Sequence, residues 1–155
     1  MHTIRNVWIL LFAAALVASV ANWVHPRKIP WVQDWSTHVE AKARKLGFEA
    51  IPLAVALEKH GASGTVFIDA RPAAEFAAGH VAGAWSVPVQ AFGEHFETVG
   101  GLIDSGAELV VYCSNRDCDD ALELLVELRA IGAQKPLFFV DGFEAWKKYG
   151  GEVEP

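Results

Sequence analysis

The sequence predicts an α/β sandwich, with a central parallel sheet flanked by helices, preceded by one N-terminal transmembrane helix. Residues 7–24 form an apolar run, and after it β-branched runs alternate with patterns of helical spacing. Residues 108–128 combine both signals, because a buried strand is followed by a short polar loop and a helix. We accordingly divide the chain into a membrane or signal segment over 1–25, a linker over 26–48 and a folded domain over 49–155.

The apolar run at 7–24, VWILLFAAALVASVANWV, has Ser19 and Asn22 as its polar members. As a helix it would span roughly 27 Å, close to the thickness of a bilayer core. Trp8 and Trp23 lie near its two ends, where interfacial aromatic residues occur. We therefore expect a retained single-pass membrane anchor.

A cleaved signal peptide is the alternative, and it would leave a secreted or periplasmic domain. The triplet 19–21, Ser-Val-Ala, is a small-x-small cleavage site, and Arg5 supplies a basic n-region. For a retained anchor, the side of the membrane stays open. Basic residues such as Arg27 and Lys28 after the run favour a cytoplasmic domain. A hydrophobic segment this close to the N-terminus more often translocates the domain that comes after it.

The linker begins with a connector over 25–32, HPRKIPWV, which we expect to be extended because proline disfavours helix before it. A short amphipathic helix is predicted to start at Asp34 or Ser36 and to end at Leu46, with Trp35, Val39 and Leu46 on its apolar side.

The domain alternates strand and helix patterns. Strands are predicted over 51–53, 65–69, 84–87, 108–112 and 137–140. Helices are predicted over 54–60, 72–78, 89–104 with a break at Gly100-Gly101, from near Cys118 to Leu128, and over 142–149. Strands separated by helices imply parallel pairing. In such sheets ligands bind beyond the carboxyl ends of the strands, and Cys113 follows one of these ends.

Composition and charge exclude several classes of function. The 155-residue chain has a formal net charge of −6 and scattered basic residues, so we expect no nucleic-acid partner. Its two cysteines do not make a disulfide framework, and no Cys/His spacing resembles a zinc site. We expect no metal and no cofactor, and the sequence indicates no particular protein partner.

The two cysteines, Cys113 and Cys118, flank a polar loop between the predicted strand and helix. Backbone amides and the positive end of a helix dipole favour an anionic sulfur at such a place. This position favours a reactive thiol at Cys113, and an inert buried cysteine is the alternative.

Three motifs carry a family resemblance: FIDARPAAEFAAGHVAGAWSVP from Phe67 to Pro88, VVYCSNRDCDDALELLVEL around Cys113, and FFVDGFEAWKKYG near the C-terminus. In this order and spacing they resemble the rhodanese-like domain, over roughly residues 49–153. The resemblance implies a small three-layer α/β sandwich with a parallel sheet. It also implies that active members carry sulfur as a persulfide on the loop cysteine, whereas other members are inactive regulatory or binding modules.

By this resemblance, Cys113 is the catalytic nucleophile of an active-site loop formed by Ser114, Asn115, Arg116, Asp117, Cys118 and Asp119. Its thiolate, stabilised by a cradle of loop amides, would attack a sulfane-sulfur donor and hold the sulfur as a persulfide. The sulfur would then pass to a thiol or another nucleophile. A sulfurtransferase of this kind is the leading hypothesis.

The loop departs from the family pattern at Arg116, because active members usually have glycine three residues after the cysteine. Arginine there must adopt an ordinary φ or accept strain, and it faces either an anionic donor or solvent. Asp117, Asp119 and Asp120 would repel a dianion, so a persulfide is favoured over thiosulfate as the donor. One of these aspartates is expected to cap the following helix.

Cys118 is the second departure, and it is a candidate resolving cysteine that would convert a modified Cys113 into an intramolecular disulfide. The alternative is a small apolar residue at the helix start. If Cys118 is functional, a second hypothesis arises. The protein would then be a non-catalytic, membrane-tethered binding module or thiol-redox switch.

Other motif residues are expected at the edge of the site. Asp69, Arg71 and Glu75 should form a polar network at a strand end, and Arg71 and Asp141 are candidates for the pocket rim.

Cysteine phosphatases and arsenate reductases of related fold use a loop of cysteine, five residues and arginine. The sixth residue after Cys113 is Asp119, which would repel the oxyanion that the arginine binds.

Overall fold

The computed structural model describes residues 2–24 and 38–155, and the chain divides into two compact units. The first unit contains helix α1 (His2–Val24). Within it, Ile4–Val24 is long and apolar enough to cross a membrane, a property that signal sequences share. The connector predicted over 25–32 lies outside the described residues, as does the predicted helix start at Asp34 or Ser36.

The second unit holds the remaining elements. Its helices are α2 (His38–Lys45), α3 (Leu53–His60), α4 (Ala73–Ala77), a 3-10 helix (Val89–His95), α5 (Phe96–Asp104), α6 (Asp120–Ala130) and α7 (Gly142–Lys148). Its strands are β1 (Glu49–Ile51), β2 (Thr65–Asp69), β3 (His80–Val81), β4 (Trp85–Ser86), β5 (Glu108–Tyr112), β6 (Leu137–Phe139) and β7 (Val153–Glu154).

The main sheet has five parallel strands in the order β1-β6-β5-β2-β4. In this register Tyr112 of β5 lies beside Asp69 of β2 on one side and Phe139 of β6 on the other. The carboxyl ends of the three strands therefore meet at one edge, and Cys113 follows the middle one. With helices on both faces, the sheet confirms the predicted three-layer sandwich.

Both faces of β5 are buried, which explains its uninterrupted apolar sequence. Leu109, Val111 and Cys113 belong to one core cluster, together with the apolar residues of α6. Val110 and Tyr112 point to the other face and pack in a second cluster that includes aromatic residues of β6 and α7. The alternation places the Cys113 side chain on the α6 face of the sheet.

Three parts of the domain differ from the prediction. Strand β1 covers Glu49–Ile51 and not 51–53, and α3 already begins at Leu53. A small antiparallel sheet joins β3 to β7, and neither strand is predicted from the sequence, because two-residue strands carry no measurable periodicity. The predicted helix break at Gly100-Gly101 is wrong, since α5 continues through both glycines. The interruption falls earlier, where the 3-10 helix ends and α5 begins.

Helix α2, which the sequence places within the linker, packs into the core of the domain. Val39 is 3% exposed and Ala43 is fully buried, and both share the core cluster that contains Cys113. Leu46 at the predicted end of the helix is exposed. The compact domain thus includes residues N-terminal to the predicted boundary at 49.

Candidate active site

The site lies where β5 ends and its loop rests on the start of α7. The Cys113 carbonyl accepts a hydrogen bond from Phe143 N (2.8 Å), and the Ser114 carbonyl accepts one from Glu144 N (2.9 Å). The first amides of α7 lack helical acceptors, so the loop carbonyls satisfy them. The backbone at Cys113 is therefore fixed by a neighbouring helix.

Gly142 allows this close approach. Its φ is +69°, and an added Cβ would lie 2.7 Å from the carbonyl oxygens of Cys113 and Ser114 and 2.8 Å from Asn115 N. A side chain at this position would collide with backbone atoms, which cannot move aside without shifting the loop.

Cys113 and Cys118 form a disulfide, with Cα atoms 6.1 Å apart. This separation lies within the range that a disulfide requires. Cys113 is 2% exposed and Cys118 is half-buried. Of the two bonded residues, Cys118 is therefore the more exposed.

Asn115 organises the interior of the loop. Its side-chain oxygen accepts a hydrogen bond from Asp117 N (3.0 Å), and its carbonyl accepts one from Cys118 N (3.3 Å). Its amide nitrogen donates to Glu144 Oε1 (3.1 Å). Two amides expected in a sulfur cradle are thus engaged by Asn115 in this disulfide state.

Arg116 adopts neither of the two predicted roles. Its Nε and Nη2 both lie 2.7 Å from Asp141 Oδ1, and its Nη1 lies 3.2 Å from Glu40 Oε2 of α2. Burial lowers the pKa of Arg116, but hydrogen bonds and charge from Asp141, and then Glu40, raise it above the ordinary value. Non-glycine residues with positive φ are absent from the described parts of the chain, so the arginine fits without backbone strain.

The aspartates that follow Cys118 do not cap α6 through their side chains. Asp119 occupies the N-cap position without a side-chain capping hydrogen bond, and its Oδ2 instead lies 3.0 Å from Lys42 Nζ. Its Oδ1 is shielded from solvent and has no hydrogen-bond partner among the described residues. The expected cap is replaced by an ion pair to α2.

Asp120 lies beside the disulfide. One of its carboxylate oxygens and the sulfurs of Cys113 and Cys118 all lie within 4.8 Å of one another. Burial, followed by the negative charge of Glu123, raises the pKa of Asp120. These three side chains could hold a soft metal ion after reduction, but both sulfurs are occupied while the disulfide is intact.

Arg71 does not line the rim, which corrects the prediction. It is 4% exposed, and its guanidinium donates to Asp69 (2.6 Å from Nη2 to Oδ2) and to the Gly79 carbonyl (2.9 Å). The predicted network extends outward through Glu75, which lies 3.9 Å from Arg71 and accepts a hydrogen bond from Ser114 Oγ (3.1 Å). Arg71 therefore supports the strand end from inside the domain.

Asp141 does border an open groove. The groove has a volume of about 350 Å³, with Asn115, Arg116 and Asp117 on one side and residues of α7 on the other. Asp141 also accepts a hydrogen bond from Leu53 N (2.7 Å), which ties the start of α3 to the site. Neither cysteine lines this groove.

Sequence reasoning missed Glu40, Lys42 and Gly142 as residues that contact the loop. The two α2 residues lie in a segment predicted to be a linker, and their partners are distant in sequence. The Asp-Gly pair at 141–142 before an apolar helical pattern was a usable signal, because glycine after a strand end often marks close backbone approach.

The comparisons agree with this architecture. The family model of the rhodanese-like domain matches residues 53–149. The BH2092 protein of Bacillus halodurans superposes with a TM-score of 0.59 at 24% identity, over 76% of this chain and 83% of its own. The rhodanese-like domain of the Anabaena protein Alr3790 gives a TM-score of 0.55 at 21% identity, over 68% and 77% of the two chains.

A thiosulfate sulfurtransferase of Pseudomonas aeruginosa is also similar, with a TM-score of 0.54 and 20% identity over 77% of this chain and 22% of its own. No curated protein sequence matches the chain. Identities this low show a shared fold. The family model covers more than half of the sequence, and the chain accordingly belongs to the rhodanese-like domain family.

Proposed function

We propose that the protein is a sulfurtransferase that carries sulfane sulfur as a persulfide on Cys113. The observation that carries the proposal is the position of Cys113, which follows the central strand of a rhodanese-like sheet and precedes the N-terminus of α6. Ligands of parallel α/β sheets bind beyond the carboxyl ends of the strands. Membership of the family and the fold shared with a thiosulfate sulfurtransferase support sulfur transfer as the reaction class.

The reaction requires the reduced loop. The Cys113 thiolate attacks the terminal sulfur of a donor R–S–SH, forming Cys113–S–SH and releasing the donor as R–S⁻. An acceptor thiolate then attacks the outer sulfur, takes it as a new persulfide and regenerates the Cys113 thiolate. No net oxidation occurs, and the cycle uses no cofactor.

The disulfide is the oxidised state of this site. A persulfide on Cys113 can be attacked by the Cys118 thiolate at the inner sulfur, which forms the disulfide and expels hydrosulfide. Because Cys118 is the more exposed sulfur, an external thiolate would attack it first and release Cys113 as the leaving thiolate. Cys118 thereby acts as the resolving cysteine.

A persulfide suits the site better than thiosulfate does. Three aspartates lie in the loop or directly after it: Asp117, Asp119 and Asp120. The charge of Arg116 is already paired with Asp141 and Glu40. A dianionic donor would meet these carboxylates without an unengaged guanidinium beside it. We therefore propose a protein or low-molecular-weight persulfide as the donor and a thiol as the acceptor.

Intact-mass spectrometry of the full-length protein tests the proposal. After reduction and removal of the reductant, incubation with glutathione persulfide should add the mass of one sulfur atom, and acceptor thiol should remove it. Cys113→Ser should take up no sulfur. Cys118→Ser should keep the persulfide longer, because intramolecular resolution is lost. Absence of added sulfur on the Cys118→Ser protein would refute a Cys113 persulfide.

The Cys113–Cys118 disulfide also favours a second candidate, a membrane-tethered thiol-redox switch without sulfur transfer. The same measurement separates the two. Reversible disulfide formation in the wild-type protein, together with no sulfur uptake by Cys118→Ser, supports the switch. In either case we propose that α1 is a single-pass anchor that tethers the domain to a membrane.

A further inference from the structure

Helix α2 contacts the active-site loop at its middle and at its C-terminal end, through opposite charges. Glu40 Oε2 lies 3.2 Å from Arg116 Nη1, and Lys42 Nζ lies 3.0 Å from Asp119 Oδ2. Arg116 lies within the loop, and Asp119 follows Cys118 directly. The two ion pairs thus connect one helix to the middle of the disulfide-closed loop and to the residue that follows its second cysteine.

The positions of these charges follow from the packing of the helix. Val39 and Ala43 are buried and face the domain core. At about 100° per residue, Glu40 and Lys42 project on opposite sides of that buried stripe. The packed helix therefore presents an anion to Arg116 in the middle of the loop and a cation to Asp119 at its C-terminal end.

The pairing also accounts for the arginine where active family members usually have glycine. Arg116 joins Glu40 of α2 to Asp141 at the start of α7, with a distance of 2.7 Å to the second carboxylate. The Arg116 side chain thus links α2 to the start of α7. A glycine at this position would instead let the backbone close around the sulfur through a positive φ. Helix α2 lies outside residues 53–149, which the family model matches.

We propose that Glu40 and Lys42 are positioning residues, which hold the loop so that Cys113 and Cys118 stay within disulfide distance. The inference rests on the proposed function only in that it takes the two cysteines as the reactive groups. When either ion pair is lost, the loop opens more readily and the disulfide becomes more accessible to an external thiol. The reaction to be measured is thiol–disulfide exchange, in which dithiothreitol is oxidised as the Cys113–Cys118 disulfide is reduced.

The test is the rate of disulfide reduction by dithiothreitol in oxidised, full-length protein. Lys42→Glu and Asp119→Lys each convert an attraction into a repulsion, and each should accelerate reduction by about two- to five-fold, as expected for partly exposed pairs. The double variant, with the two charges exchanged, should return to within about two-fold of the wild-type rate. Glu40→Gln should accelerate reduction in the same direction.

Lys45→Glu is the matched control, because it changes the charge of α2 equally at an exposed position that has no ion pair among the described residues. It should leave the rate unchanged. Opposite shifts for Lys42→Glu and Asp119→Lys would indicate a general field effect on the attacking thiolate and would overturn the proposal. A double variant whose disulfide is still reduced as fast as in the single variants would also overturn the proposal. If the reduction rates change as expected but the protein takes up no sulfur, only the proposed sulfurtransferase activity is refuted.

Discussion

At the scale of single residues, the site combines ion pairs of two different kinds. Asp69 and Arg71 are both buried, and they are joined by hydrogen bonds of 2.6 to 3.1 Å. The pairs that Arg116 and Lys42 make are partly exposed. Buried pairs are costly to break because one charge is left desolvated, whereas exposed pairs contribute little to stability. The Asp69–Arg71 pair therefore stabilises the fold at the end of β2. The partly exposed pairs of Arg116 and Lys42 contribute little to stability, and we expect them to restrain the position of the loop.

Replacement of the buried Arg71 should lower the free energy of unfolding of the protein. Arg71→Met keeps most of the side-chain volume but leaves Asp69 charged and buried without its partner. We expect a loss of about 3–5 kcal/mol in the free energy of unfolding. Urea denaturation followed by tryptophan fluorescence measures the change.

Lys59→Met provides the control for this substitution. Lys59 pairs with Glu108 at 2.7 Å, but both side chains are partly exposed. Its removal should cost no more than about 1 kcal/mol. Equal losses for the two variants would contradict a special contribution from the buried pair.

At the scale of elements, the loop depends on the helices around it. The start of α7 donates backbone hydrogen bonds to the carbonyls of Cys113 and Ser114, and α2 supplies two ion pairs. The disulfide closes the loop on itself. Each contact restrains a different part of the loop, so the reactivity of Cys113 reflects the packing of α2 and α7 as well as its own position.

A side chain at the start of α7 should displace the loop. Gly142→Ala places a Cβ 2.7 Å from two loop carbonyl oxygens at a φ of +69°. We expect a loss of about 2–4 kcal/mol, from backbone strain and from the collision together. Reduction of the disulfide by dithiothreitol should also become faster, which a thiol-release assay measures.

Gly106→Ala separates strain from collision. Gly106 has a φ of +75°, but an added Cβ would meet no atom within 4 Å. It should cost only the strain, about 1–2 kcal/mol, and leave the reduction rate unchanged. A similar cost and rate for both variants would show that the loop does not rest on Gly142.

At the scale of the whole molecule, the chain consists of an apolar helix and a compact domain. Ile4–Val24 is long and apolar enough to cross a membrane, as a signal sequence also is. A helix that is apolar on all sides is stable in a lipid environment, where its backbone hydrogen bonds are internally satisfied.

The proposed anchor predicts that the protein stays with membranes after alkaline carbonate extraction, with residues 1–24 intact by mass spectrometry. Deletion of residues 2–24 should release the domain into the soluble fraction. Ala21→Leu, which blocks a small-residue cleavage site, should change the mass only by the substitution itself and should leave the location unchanged. A wild-type mass that corresponds to cleavage after Ala21, with the uncleaved form restored by Ala21→Leu, would establish a signal peptide instead.

The sequence by itself determined the elements whose signals are local. The apolar helix, the run of β5, and the position of Cys113 between a strand and a helix all follow from periodicity and composition over short windows. The family motifs then supplied the sandwich and the expected chemistry. The predicted parallel pairing is confirmed, and it brings the carboxyl ends of β2, β5 and β6 together beside Cys113.

Only the tertiary structure decided how the loop is held. Arg116 and Glu40 are 76 positions apart, and no local pattern connects them. The sequence predicts the apolar side of helix α2 but places the helix in a linker, because the core that covers Val39 and Ala43 comes from later elements. Burial of Arg71, the close approach at Gly142 and the two ion pairs of α2 all depend on packing between distant segments. The position of Cys113 between a strand and a helix was therefore predictable from its neighbours in sequence, and the contacts that restrain its loop only from its neighbours in space.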